Sequence, residues 1–194
     1  MTPKKLAFSA VFVCFAAALS ALETMLPPIV PIAGVRVGMG NIVILFTLYI
    51  GGCWKAHDAL TITVLRCVLA GLVTGSPMSI IYGLFGGVAA WAAMLCGRTV
   101  FPKHKDSGLS DEKYLPFTAI MGAVFHIGGQ MTAAVLLYGS KYVLGYIPIL
   151  LASALLGGLF TGFLTMLLIK KLPPKLKLGI RTAASPKTSR TDKR

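Results

Sequence analysis

Apolar residues dominate the chain from Leu6 to Ile169, in blocks separated by short polar or Pro/Gly-containing joints. A transmembrane helix needs about 20 mostly apolar residues, or fewer if the helix is short or broken. The pattern therefore predicts spans at about residues 6–26, 38–53, 57–75, 78–97, 117–138 and 147–169. We expect an all-α membrane protein, built as a compact bundle of six transmembrane helices. The second span is short and follows a Pro/Gly-rich loop that is not helical throughout.

Composition and charge agree with this pattern. Hydrophobic residues make up 56% of the 194 residues and charged residues only 13%, which favours a polytopic membrane protein over a soluble enzyme. The net charge of +13 does not indicate nucleic acid, because nine of the 19 Lys and Arg residues follow the last apolar block, in residues 170–194. We expect a membrane domain at 1–170 and a basic tail at 171–194 without regular structure beyond its first few residues. The tail also suggests an affinity for membrane lipid.

The distribution of Lys and Arg between the connecting segments predicts the orientation. One set of connections, which includes the N-terminus, the segment 98–113 and the tail, carries 16 of these residues, whereas the opposite set carries only Arg36 and Lys141. Cytoplasmic loops are enriched in Lys and Arg. Both termini are therefore predicted to be cytoplasmic.

Polar residues inside the apolar blocks are the candidate site, because lipid offers no water to them. At about 1.5 Å of rise per residue, they collect in the outer half of the predicted bundle. They are Glu23, Arg36, Asn41, Arg66, Tyr82, His126, Gln130 and Tyr146. Two interpretations stay open. Glu23 and Arg66 form a buried ion pair that only fixes helix packing, or the whole set lines a pocket for an anionic or strongly polar ligand from outside.

Several motifs of enzymes are missing from the sequence. It has no GxxxxGK[ST], HExxH or GxSxG motif and no Asp-rich run, and the GxG of VGMGN lacks the strand and helix of a dinucleotide site. The four cysteines form no CxxC and are interpreted as small packing residues. We expect no catalytic residues, no metal and no cofactor, which favours a non-enzymatic role.

Small residues recur every four positions or nearly so on the first helix, at Ala10, Cys14, Ala17 and Ala21. Such stripes let helices approach closely. We expect Ala17 and Ala21 to dock a second membrane protein, with internal packing as the alternative.

Four segments carry a family resemblance: LETMLPPIVPIAGVRVGMGN, TVLRCVLAGLVTGSPMS, MGAVFHIGGQ and YIPILLASALLGGLFTGFL. In order, across about residues 6–170, they resemble the Gx transporter family, often labelled "heptaprenyl diphosphate synthase component I". That family is similar to the substrate-binding S components of energy-coupling factor (ECF) transporters, which are six-helix proteins of the bacterial cytoplasmic membrane.

The two labels imply different functions. An S component captures a micronutrient from outside and docks, through small residues of its first helix, on a transmembrane coupling protein with two ATPases. The synthase label implies a part in making the isoprenoid side chain of menaquinone. Because Asp-rich motifs are missing, that part would be a non-catalytic accessory subunit that binds a soluble prenyl diphosphate synthase subunit.

Overall fold

The computed structural model describes residues 2–25, 38–51, 54–101, 114–139, 145 and 147–182. Over this part of the chain the regular structure is entirely helical. The helices are α1 (Pro3–Met25), α2 (Asn41–Ile50), α3 (Ala56–Val73), α4 (Pro77–Val100), α5 (Leu115–Tyr138), α6 (Ile147–Lys171) and α7 (Pro174–Thr182).

Five of the helices are long and apolar enough to cross a membrane: α1, α3, α4, α5 and α6. The second predicted span behaves differently, because α2 has ten residues and is about 15 Å long, half the thickness of the hydrocarbon core. All ten of its residues are buried. α2 is thus a half-length helix enclosed by the bundle, which explains why even Asn41 and Thr47 are tolerated there.

Glycines set the close contacts between the long helices. A Cβ added to Gly129 of α5 would overlap the backbone carbonyl of Phe85 in α4, and one on Gly158 of α6 would lie 2.7 Å from the Cα of Ile120 in α5. Only a residue without a side chain allows backbones this close. The glycine stripes of α5 and α6 therefore serve packing within the bundle.

A buried ion pair joins the beginnings of α1 and α3. Lys5 Nζ lies 2.5 Å from Asp58 Oδ2 and 5.6 Å from the ring centre of Trp54. The indole Nε1 of Trp54 donates a hydrogen bond of 3.0 Å to the carbonyl oxygen of Ile180 in α7. We call this region, defined by Lys5, Trp54, Asp58 and Ile180, the ion-pair end.

These contacts bring α1, α3 and α7 together on one face of the bundle. Because both α1 and α3 begin at the ion-pair end, the chain returns to that end between Met25 and Trp54, in the interval that contains α2. The beginning and the tail of the described chain also meet there. The count of six spans and the cytoplasmic side of this face remain predictions.

Two expectations are corrected by the fold. The tail is helical at Pro174–Thr182, because Ile180 packs against the core at Trp54 and so fixes a segment that composition alone marks as unstructured. Ala17 is not a surface residue: it is 5% exposed, whereas Ala10 and Cys14 of the same stripe are exposed. Ala21 is half-buried.

Candidate functional site

A small cavity lies in the half of the bundle away from the ion-pair end. About 290 Å³ of empty space, part of it open to the surroundings, is bounded by residues from α1, α3, α4, α5 and the turn before α2. In this conformation the space admits about one or two water molecules. The lining residues are Ser20, Glu23, Gly38, Arg66, Cys67, Ala70, Ser79, Gly83, His126 and Gln130.

Glu23, near the end of α1, is held by the backbone that leads into α2. Its Oε1 accepts a hydrogen bond of 2.6 Å from the N–H of Gly38, and its Oε2 accepts one of 2.9 Å from the N–H of Met39. Carboxylates bond strongly to backbone amides, and negative charge is favourable near a helix N-terminus. Glu23 thus ties α1 to the start of α2.

Arg66 brings a guanidinium group to the other side of the same turn. Its Nη1 donates to Ser20 Oγ at 3.0 Å, and its Nη2 donates to Asn41 Oδ1 at 2.8 Å. The residue is 3% exposed, and its Nε has no hydrogen-bond partner among the described residues. A buried guanidinium is therefore bonded here to uncharged oxygens.

The sequence-based pairing of Glu23 with Arg66 is wrong. Among the described residues, the ion pair within 4.0 Å joins Lys5 and Asp58, and the His57 ring lies 3.6 Å from the other oxygen of Asp58. Glu23 instead accepts hydrogen bonds from two backbone N–H groups. Arg66 donates hydrogen bonds to the hydroxyl of Ser20 and the amide oxygen of Asn41. The two charges share a cavity but do not neutralise each other by direct contact.

His126 and Gln130 form the wall contributed by α5. They lie one turn apart on one face, and Gln130 Nε2 is 2.9 Å from His126 Nε2. Gly86 of α4 faces them, and a Cβ at this position would lie 2.8 Å from the imidazole and 2.9 Å from Gln130 Cγ. The glycine therefore makes room for both polar side chains between α4 and α5.

The GxG of VGMGN has a steric explanation. Gly38 has a φ of 92°, a left-handed conformation that favours glycine, and a Cβ there would lie 2.8 Å from Asn41 Nδ2 and 2.9 Å from His126 Cδ2. At Gly40 a Cβ would overlap the Arg66 guanidinium. The motif lets the backbone pass between Arg66 and His126, which is a role unrelated to nucleotide binding.

The other predicted site residues have separate outcomes. Asn41 does not line the cavity but bonds to Arg66, which does. Tyr82 is fully buried in an apolar cluster with Ala133 and Ala134, outside the cavity lining. Arg36 and Tyr146 lie outside the described residues.

Six lining residues were not predicted from the sequence: Ser20, Gly38, Cys67, Ala70, Ser79 and Gly83. Ser79 and Gly83 belong to a small-residue stripe on α4, so a signal was present, but the same stripe is equally typical of packing. Cys67 and Ser20 carried no separate signal. They were found only because the fold places them beside Arg66.

The chemistry that these residues offer is hydrogen bonding and charge. Across the described helices, no three His, Cys, Asp or Glu residues lie close enough together to hold a metal ion. Arg66, Gln130 and the Ser79 hydroxyl supply donors, and Glu23 supplies a carboxylate. Such a lining is suited to binding a polar group away from water.

Comparison with known families identifies the chain. A family model described as "Heptaprenyl diphosphate synthase component I" matches residues 12–168. Comparison with curated proteins and with solved structures gives no match. The match spans helices α1 to α6, with the cavity and the GxG turn inside it. The chain therefore belongs to the heptaprenyl diphosphate synthase component I family.

Proposed function

We propose that this protein is a membrane-embedded binding protein that captures a small polar ligand in the cavity between α1, α3, α4 and α5, in the manner of an ECF S component. The observation that carries the proposal is the convergence of Glu23, Arg66, His126 and Gln130 on one cavity inside an apolar bundle. Ionisable groups inside membrane domains are costly and usually functional.

The arrangement of Arg66 supports a ligand with an anionic or carbonyl-rich group. Its hydrogen bonds go to uncharged oxygens of Ser20 and Asn41, so a carboxylate, phosphate or carbonyl oxygen would add the stronger, charge-assisted contact. In this conformation the cavity has room for only about one or two water molecules, far less than a typical ligand site of roughly 300–1,000 Å³. Binding therefore involves separation of its walls.

Uptake through such a protein needs an energy source that this chain lacks, since its sequence contains no P-loop. The proposed partners are a transmembrane coupling protein and two ATPases in the bacterial cytoplasmic membrane. Because Ala17 is buried within the bundle, the docking face on α1 would consist of exposed members of its stripe rather than of Ala17.

A second candidate function is supported by the family description, which names one component of a synthase. In that case the protein is a non-catalytic membrane accessory subunit, its partner is a soluble prenyl diphosphate synthase subunit, and the cavity accepts a polar end group of a lipid substrate.

Native mass spectrometry of the protein released from its own membrane tests the proposal. We expect a small molecule to co-purify with the wild type and to be lost from Gly86→Ala, since the added Cβ displaces His126 and Gln130. Gly128→Ala is the matched control, because a Cβ there meets nothing within 4 Å. Equal retention by both variants would refute the cavity as the binding site.

The proteins recovered in the same experiment separate the two functions. Co-purifying ATPase subunits would support uptake, whereas a soluble prenyl diphosphate synthase subunit would support the accessory role and refute uptake.

A further inference from the structure

Helix α7 is amphipathic and starts next to the membrane. Only Leu172 and Pro173 separate it from the end of α6 at Lys171, and the two prolines at 173 and 174 prevent a straight continuation of α6. A helix that follows a transmembrane span so closely lies at the level of the lipid headgroups.

One side of α7 is fixed to the bundle. Ile180 is 3% exposed and belongs to the main hydrophobic core, together with Trp54 and Phe46. The Trp54 indole donates to the Ile180 carbonyl oxygen at 3.0 Å. Trp54 itself packs on Phe12, with ring centres 5.3 Å apart. A change in the position of α7 would therefore change the surroundings of the Trp54 ring.

The remaining surface of α7 combines exposed leucines with lysines. Leu176 is 45% exposed and Leu178 is 62% exposed, and Lys175 beside them is exposed. No acidic residue stands between Lys113 and Asp192 in the sequence, so α7 itself contains no acidic side chain. Since successive residues are about 100° apart around a helix, Lys175 lies between Leu176 and Leu178 on one exposed side of α7. An exposed lysine flanked by exposed leucines, on a short helix at the membrane boundary, suits the lipid interface.

We propose that α7 is an interfacial helix that binds anionic phospholipid headgroups through Lys175, while Leu176 and Leu178 contact the acyl boundary. Charge complementarity supports this occupant, because in the predicted orientation the connections on the side of α7 carry 16 of the 19 Lys and Arg residues, and such connections face the leaflet rich in anionic lipid. The exposed Leu176 and Leu178 favour lipid over a soluble acidic protein. Contact with such a protein would place these leucines beside charged groups.

Fluorescence of Trp54 gives a direct test. The chain has two tryptophans, so Trp91→Phe leaves Trp54 as the single reporter at the Ile180 contact. The full-length protein in neutral detergent is titrated with dioctanoyl phosphatidylglycerol or with dioctanoyl phosphatidylcholine. We expect a saturable change in Trp54 emission with the anionic lipid and no saturable change with the zwitterionic one.

Two variants show whether the effect belongs to α7. Lys175→Gln should raise the half-saturating concentration of phosphatidylglycerol about five-fold, the value expected for one lysine near an anionic surface. Lys141→Gln is the matched control, since it removes one charge from the connections predicted to lie on the opposite side of the membrane and should leave the titration unchanged. Equal responses to both lipids, equal effects of the two variants, or no change in emission would overturn the proposal.

Discussion

The ion-pair end and the cavity end of this bundle hold their charged residues in opposite ways. At the ion-pair end, Lys5 and Asp58 neutralise each other at 2.5 Å, and Lys5 also lies beside the ring of Trp54, which packs on Phe12. At the cavity end, Glu23 and Arg66 share a space but bond to backbone amides and neutral oxygens. The ion pair fixes α1 against α3, whereas the charged groups at the cavity end line a space between helices, where we propose that a ligand binds.

The largest effect is expected at the ion-pair end. Asp58→Asn leaves the buried Lys5 ammonium without its counter-charge, and we expect the free energy of unfolding to fall by about 3–5 kcal/mol. Unfolding of the purified protein in denaturing detergent measures the loss. The double variant Lys5→Met/Asp58→Asn should recover most of it, because no buried charge remains. A stable Asp58→Asn variant would show that the pair does not fix α1 against α3.

A smaller loss of stability is expected for Glu23→Gln. The amide presents one acceptor and one donor group where the carboxylate accepts from two N–H groups, so one amide of Gly38 or Met39 loses its partner. We expect about 1–3 kcal/mol, from an unsatisfied buried N–H rather than from an unpaired Arg66. The same unfolding assay applies. A loss as large as that of Asp58→Asn would mean that Glu23 neutralises a charge directly.

The smallest effect on stability is expected for Gln130→Met, which keeps the side-chain length and removes the contact with His126. We expect a loss of about 1 kcal/mol or less, together with loss of the co-purifying ligand. Thermal unfolding and native mass spectrometry of one preparation separate these effects. Severe unfolding with Gln130→Met would identify the pair as a packing element and remove the contrast between the two ends.

The long helices could be predicted from the sequence because apolar length alone defines them. Predicted spans at 57–75, 117–138 and 147–169 correspond to Ala56–Val73, Leu115–Tyr138 and Ile147–Lys171. α7 could not be predicted, because its order depends on a contact with Trp54, which lies 126 positions earlier in the chain.

The side-chain partners were harder to predict than the helices. Glu23, Arg66, His126 and Gln130 stand out as polar residues in apolar blocks, and the fold brings all four to one cavity. Their hydrogen-bond partners could not be predicted from the sequence. A carboxylate that accepts from backbone N–H groups, as Glu23 does, requires no particular residue type at the donor positions. The burial of Asp58 was not predicted, because a charged residue near a helix end is usually solvated. Here Asp58 is buried together with its partner Lys5.

Labelling of Cys67 tests the contrast between the two ends most directly, because this buried cysteine lines the cavity. Cys14, Cys53 and Cys96 are replaced by Ser, and intact cells are treated with a membrane-impermeant methanethiosulfonate. We predict slow labelling of Cys67 from outside. With Cys67 also replaced by Ser, Thr74→Cys at the end of α3 should label rapidly, and Ala59→Cys beside Asp58 should not label. An unreactive Cys67 beside a reactive Thr74→Cys, or equal labelling of Cys67 and Ala59→Cys, would contradict an outward-opening cavity.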